Sequence, residues 1–308
     1  MPLAAKDLRG LIGNTPMVQL THMGIREDVE VFAKLEYFNP GGSVKDRIAV
    51  EMIDQALASG NLKPGGTIIE PTAGNTGLGL AMVAAPLGFK FICVMPEKFK
   101  GEKSDLMEGL GAKVVITPNE AGMMGAIEKA RELVKQTPGS YSPNQFEHQG
   151  NPDAHYKTTG PEIWDAMEGR VDVFVAGCGS GGTFTGTVKF LKEKNPDLIA
   201  LAVEPIGSTI GGGEKGSYKV EGIGNWFVPG TMHLDLVDRF VQVRDEDSFD
   251  TTREMALREG LLGGGSSGAA LFAAMQFAEQ AKPGSRIAVI FPDSSERYLQ
   301  KKIYHIKG

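Results

Sequence analysis

The sequence predicts an α/β protein made of two three-layer αβα lobes with mostly parallel, twisted sheets. Three observations point there. Short β-rich runs alternate with helical segments of about 10–15 residues, the pattern of parallel strands joined by crossover helices and covered on both faces. Three glycine-rich loops fall at strand C-termini, each ahead of a helix, on the edge where open α/β sheets bind ligands. The chain of 308 residues is long enough for two lobes, since domains typically run about 100–200 residues.

In chain order, residues 8–12 lead into the turn Gly13-Asn14-Thr15-Pro16, and residues 17–20 and 31–35 read as strands. Tyr37-Phe-Asn-Pro-Gly-Gly-Ser-Val-Lys-Asp-Arg47 then turns into an amphipathic helix over 48–57, with Ser43 placed as its N-cap. Lys45 therefore falls in the first helical turn, where the positive end of the dipole opposes a cation. A lysine there is unusual unless it bonds something, and an aldehyde cofactor is one candidate; a solvated surface lysine is the other reading. Strands over 67–70, 89–95 and 113–116 alternate with helices over 78–87, 103–110 and 121–135. The second half repeats the scheme, with strands over 171–176, 198–203, 240–243 and 286–291. Its helices cover 160–167, 188–193, 249–259 and 269–280. The segment 207–220, with five glycines, is the candidate mobile loop.

Composition narrows the function classes. Hydrophobic content of 41% and charged content of 23% are those of an ordinary globular protein. A net charge of −6 argues against a nucleic-acid or anionic-membrane partner, which usually needs a basic face. Cys93 and Cys178 form neither a metal spacing nor a disulfide framework, and the histidines offer no paired metal ligands. No apolar run is long enough to span a bilayer and no signal core opens the chain, so the cytoplasm is the expected compartment. The 41 glycines cluster, which points to backbone-lined sites.

The sharpest loop is Gly177-Cys-Gly179-Ser-Gly181-Gly182-Thr183. Its glycines let backbone N–H groups approach an anion at a helix N-terminus, and the Ser180 and Thr183 hydroxyls add donors. The same loop satisfies the dinucleotide pattern Gly177-x-Gly179-x-x-Gly182, with Glu204 at the distance of a ribose contact, so a nicotinamide dehydrogenase is a second reading. Thr72-Ala-Gly-Asn-Thr76 offers hydroxyls, an amide and N–H groups suited to a small carboxylate, although Asn75 is equally an N-cap. Ser266 and Ser267 read either as helix caps or as a neutral hydroxyl facing a ring nitrogen.

Together the motifs Asn39-Pro-Gly-Gly-Ser-Val-Lys-Asp-Arg47, Glu70-Pro-Thr-Ala-Gly-Asn-Thr-Gly77, Gly179-Ser-Gly-Gly-Thr183, Glu221-Gly-Ile-Gly224 and Gly265-Ser-Ser-Gly268 occur in this order. The chain resembles the cysteine synthase (O-acetylserine sulfhydrylase) and cystathionine β-synthase family of fold-type II pyridoxal-phosphate enzymes, relatives of the tryptophan synthase β-subunit. The resemblance runs from Ile12-Gly-Asn-Thr-Pro16 to Phe291-Pro-Asp-Ser-Ser-Glu-Arg297. It implies a smaller, mobile lobe over 38–147, a larger one from 1–37 plus 148–308, a pyridoxal 5′-phosphate site between them, and a homodimer.

Carried over by residue, the resemblance implies that Lys45 forms the Schiff base with the cofactor aldehyde. Asn75 bonds the ring hydroxyl and Ser266 the pyridine nitrogen, while Gly179, Ser180, Gly181, Gly182 and Thr183 hold the phosphate. Thr72, Ala73, Gly74, Asn75 and Thr76, with Gln145, hold the substrate carboxylate, and Gly222 lines the site near the substrate amine. The implied reaction makes L-cysteine from an activated serine (O-acetylserine) and sulfide through an aminoacrylate, with homocysteine, giving cystathionine, as the alternative acceptor. Ala73 departs from the usual cysteine synthase loop, which has serine there, and removes one hydroxyl from the carboxylate cradle.

Overall fold

A computed structural model describes residues 4–72 and 74–304. The chain forms two compact units, one from Met1–Ile12 with Lys45–Asn151 and the other from Gly13–Val44 with Pro152–Gly308. The first unit thus begins its main stretch at Lys45 and takes in Met1–Ile12, where the sequence suggested residues 38–147.

The second unit is built on a six-stranded sheet in the order β1-β2-β10-β7-β8-β9. Its strands are β1 (Met17–Gln19), β2 (Glu30–Leu35), β7 (Val173–Gly177), β8 (Ile199–Pro205), β9 (Arg239–Val243) and β10 (Arg286–Phe291). All pair in parallel except β1, which runs antiparallel to β2 at the edge. Successive side chains of a strand face opposite ways, and here each face meets its own core. Val173, Val175, Leu201, Val203, Ile287, Val289 and Phe291 join one apolar cluster. Phe174, Ala176, Ala200, Ala202, Ala288 and Ile290 join the other. Helices α8 (Asp245–Glu259) and α9 (Gly265–Ala278) supply residues to the first cluster, and α6 (Gly160–Ala166) and α7 (Gly182–Lys194) to the second. Burying a side chain such as Phe291, fully inaccessible, contributes roughly 2–3 kcal/mol.

The first unit holds a four-stranded parallel sheet in the order β5-β4-β3-β6, from β3 (Thr67–Pro71), β4 (Lys90–Pro96), β5 (Lys113–Thr117) and β6 (Ser140–Tyr141). Helix α4 (Gly122–Gln136) packs Ala126 and Ala130 against Ile69 and Val94. Helices α1 (Lys45–Ala58) and α2 (Asn75–Ala84) contact each other, and α3 (Glu102–Gly109) lies beside α2. Among the described residues no helix is long and apolar enough to cross a membrane.

Where structure and sequence reading differ, glycine and proline are responsible. Helix α2 starts at Asn75 and α9 at Gly265, three and four residues before the expected 78 and 269. Glycine disfavours helix, but α9 runs through Gly268 because it crosses α8 there: a Cβ at 268 would lie 2.1 Å from Ser248 O and from Thr252 Oγ1. Residues 150–159, which Gly150 and Pro152 make look irregular, form α5 (Gly150–Ala154) and one π-helical turn (His155–Thr159) leading into α6. Proline is tolerated in a first turn, where its missing N–H would be unpaired anyway. Helix α1 begins at Lys45 and is flanked by Val44, not by the expected cap Ser43, which instead bridges to Asp293.

The second unit's tightest helix contact gives a direct test. A Cβ on Gly186 of α7 would sit 2.0 Å from Pro152 O and 2.9 Å from His155 Cβ. Gly186→Ala is expected to cost about 2 kcal/mol, read by calorimetry as a Tm lowered by roughly 4–8 °C.

Candidate active site

Lys45 opens α1, and its surroundings follow from one glycine on α2. A Cβ at Gly79 would lie 3.1 Å from Lys45 O and 3.3 Å from Ala49 Cβ, so only glycine lets α2 rest on the first turn of α1. Asn75, one turn before Gly79, is the first residue of α2, with Gly74 as N-cap; the reading of Asn75 as the cap itself is thereby corrected. Thr72 and Thr76 are each 3% exposed. Thr72 Oγ1 accepts the Gly74 N–H at 3.4 Å, and Gly77 lets Thr72 and Met107 close on the helix. The amides of this helix start have no intrahelical acceptors and, with the dipole, favour a carboxylate. Ala73 lies outside the described residues. A Cβ at Gly74 would lie 3.6 Å from Lys103 Nζ, so α3 brings a cation to this loop that no sequence motif announced.

Gln145, far along the chain, joins the same cluster: Thr76 Oγ1 donates to its Oε1 at 2.7 Å. The Glu70 carboxylate accepts the Asn144 N–H at 2.7 Å and the Gln145 N–H at 2.9 Å. Burial pushes the Glu70 carboxyl up to about 7, against the N–H bonds from Gln145 and Asn144 and the Ser142 hydroxyl, which pull the other way.

In the second unit, β7 passes through residues 178–181 into α7, with Gly181 as N-cap at φ +87°. The glycines are required by the neighbouring segment 222–232. Cβ atoms at Gly177, Gly179 and Gly181 would each lie 2.5 Å from Ile223 Cγ2, Gly222 O and Met232 Cβ respectively. That neighbouring segment takes up the loop's carbonyls: Cys178 O accepts the Gly224 N–H at 2.7 Å, Gly179 O accepts Asn225 Nδ2 at 2.8 Å, and Ser180 O accepts the Thr231 hydroxyl. With carbonyls turned to 224–231, the loop and the first amides of α7 form an anion cradle. Thr183 Oγ1 lies 3.1 Å from His155 Nε2, and His155 Nδ1 lies 2.8 Å from Thr159 Oγ1. His155 is fully buried, and its contact with Thr183 is visible only in the structure.

Ser266 sits in the first turn of α9 behind the N-cap Gly264, so the cap reading of Ser266 and Ser267 does not hold. The Ser266 hydroxyl is buried and has no hydrogen-bond partner among the described residues. A Cβ at Gly222 would lie 4.0 Å from both Ser266 Oγ and Tyr298 OH, which brings three elements of this unit together. Tyr298 donates to Asp293, and burial, then the Asp293 charge, raises its hydroxyl well above the ordinary value.

Glu204 does not behave as a ribose ligand. It is fully buried, and its carboxylate accepts Ser208 Oγ at 2.5 Å, the Gly211 N–H at 3.2 Å and Gln242 Nε2 at 3.2 Å. Those bonds hold its own loop and remove the dehydrogenase's ribose contact.

Within the second unit, a backbone-lined loop at a helix start and a buried, unpartnered serine hydroxyl suit a phosphorylated pyridine. The chain belongs to the pyridoxal-phosphate dependent enzyme family, whose model matches residues 8–293. It is 51% identical over 298 residues to the O-acetylserine dependent cystathionine beta-synthase of Bacillus subtilis, covering 97% of each chain. It is 44% identical over 300 residues to a cysteine synthase of Staphylococcus aureus, covering 97% of this chain and 96% of that one. The crystal structure of O-acetylserine dependent cystathionine beta-synthase from Helicobacter pylori superposes with a TM-score of 0.95 at 45% identity, over 98% of this chain and 100% of that one.

Glu70 makes stability depend on pH. The folded carboxyl keeps its proton to about pH 7, whereas an ordinary one releases it near 4.5. Between these values the folded state holds more protons, so stability is greatest below the window and falls as pH rises through it, by about 3 kcal/mol in all. Tm measured from pH 5 to 8 should decline less in Glu70→Gln than in the wild type.

Proposed function

We propose that this protein is a pyridoxal-phosphate-dependent β-replacement synthase that makes L-cysteine from O-acetylserine and sulfide. The observation that carries the reading is the Ser266 hydroxyl, buried and unpartnered at the start of α9. A neutral hydroxyl facing the ring nitrogen does not hold that nitrogen protonated as a carboxylate would, and this favours loss of a β-substituent over transamination or racemisation. The bound cofactor supplies the electron sink for charge developing at the substrate's Cα. Lys45 anchors it through Nζ, and Gly179, Ser180, Gly181, Gly182 and Thr183 hold its phosphate, with Asn75 on the ring hydroxyl. Thr72, Ala73, Gly74, Asn75 and Thr76, at the start of α2, and Gln145 bind the substrate carboxylate, while Gly222 lines the amine side. Once displaced by the substrate amine, Lys45 Nζ takes the Cα proton. As acetate leaves, the sulfur nucleophile would bond at Cβ, giving up its proton, and Lys45 Nζ would return the proton to Cα to release the product amino acid.

A second reading, homocysteine as acceptor, is favoured by the relatives named O-acetylserine dependent cystathionine beta-synthase, one 51% and one 45% identical to this chain. Both readings share donor and cofactor. A homodimer and a cytoplasmic location complete the proposal; the buried free thiols Cys93 and Cys178 suit a reducing compartment.

The purified protein should be yellow, and Lys45→Ala should lose the visible absorbance and about 100-fold or more in kcat. A colourless wild-type protein would sink the reading. Supplying O-acetylserine with sulfide and homocysteine in competition, and quantifying both products, decides the acceptor: cysteine in excess supports the main reading, cystathionine in excess the second.

A further inference from the structure

Glu70 lies in β3, followed by Pro71 and Thr72, and is fully buried. Its two oxygens are divided between consecutive amides: Oε2 accepts from Asn144 at 2.7 Å and Oε1 from Gln145 at 2.9 Å. Asn144 adopts φ +52°, the left-handed conformation that asparagine enters more readily than most residues but still at a cost. A carboxyl group whose two oxygens accept both N–H groups offsets that cost, because each amide would otherwise be buried without an acceptor. Gln145 is then held at three of its polar groups: its N–H by Glu70, its carbonyl by Asn151 Nδ2 at 2.8 Å, and its Oε1 by Thr76 Oγ1 at 2.7 Å. The last bond fixes the orientation of the side-chain amide at the second residue of α2.

We propose that Glu70 is the positioning residue of the substrate-carboxylate site, fixing the Asn144 and Gln145 amides so that the Gln145 side chain stands against Thr76. The inference rests on the reading of Thr76 and Gln145 as carboxylate ligands. Glu70 touches neither substrate nor cofactor in this scheme. It acts through Gln145, so its removal weakens donor binding and leaves acceptor binding and the cofactor's environment alone. A glutamine at 70 retains one acceptor oxygen but turns an NH2 group toward a backbone N–H, which frees one of the two amides.

The test uses the holoenzyme with Glu70→Gln, Gln145→Ala and the double variant. The readouts are KM for O-acetylserine, KM for the sulfur acceptor, kcat and the visible absorbance of bound cofactor. Glu70→Gln is expected to raise donor KM about 10-fold, the equivalent of one hydrogen bond. Acceptor KM, kcat and the spectrum should change by less than about 3-fold, because the residue acts on one ligand only. Gln145→Ala should raise donor KM at least as much, and the double variant should be no worse than Gln145→Ala, the signature of one residue acting through another. Donor KM unchanged in Glu70→Gln while raised in Gln145→Ala overturns the positioning role and leaves the carboxylate reading standing. Multiplying effects in the double variant do the same. Donor KM unchanged in Gln145→Ala overturns the carboxylate reading, and the positioning role with it. If Glu70→Gln does not fold, Glu70→Asp, which keeps the charge and shortens the reach by one methylene, is measured the same way. A parallel loss in kcat, both KM values and Tm in that variant marks a merely structural group and overturns the proposal.

Discussion

The contact between two backbones, the 177–181 turn and the 222–232 segment, is the constraint on which the second unit's chemistry depends. Three glycines in five residues exist because Ile223, Gly222 and Met232 occupy the space their Cβ atoms would need. That approach does two things at once. It gives the loop's carbonyls partners in Gly224, Asn225 and Thr231, and it sets the loop's amide side at the start of α7. A loop lined by backbone and held this way is pre-organised, so little ordering remains to be done on binding. The same segment brings Gly222 near Ser266 and Tyr298, so one packing event positions both the loop and the start of α9.

Each unit repeats a second device, a buried glutamate followed by proline at the end of a strand. Glu70-Pro71 closes β3 and Glu204-Pro205 closes β8. Proline has no N–H to give the ladder, and the carboxyl group one residue earlier collects donors from outside its own strand. Glu70 takes two amides at 144–145, and Glu204 takes Ser208, Gly211 and Gln242. A buried carboxyl group is costly unless its oxygens are satisfied. That cost makes such a group a demanding organiser: the loop must come to the carboxylate in one arrangement.

The strand–helix alternation was legible because apolar runs and glycine punctuation are local signals, and every strand except β6 was placed by them. Helix starts were less legible, and the error fell on the site. Asn75 and Ser266 look like caps when α2 and α9 are started late, and become first-turn residues once tertiary contact carries the helices back through glycine. Glu204 shows the opposite failure. Its spacing from the glycine loop matches a ribose ligand, but spacing says nothing of burial, and its carboxylate is spent on its own loop. His155 and Lys103 could not be found by pattern. His155 acts on Thr183 across 28 residues of sequence from a π-helical turn. Lys103 is one lysine of an ordinary helix until Gly74 is placed beside it.

The hydrogen bonds of the second unit also tie its two glycine-rich loops together. Glu204 holds Ser208 Oγ, the Asn225 N–H donates to that same hydroxyl at 3.1 Å, and Asn225 Nδ2 donates to Gly179 O. The glycine-rich loop after β8 and the anion cradle after β7 are therefore two ends of one polar chain. A substitution that reshapes the first strains the second unless Ser208 and Asn225 keep their bonds.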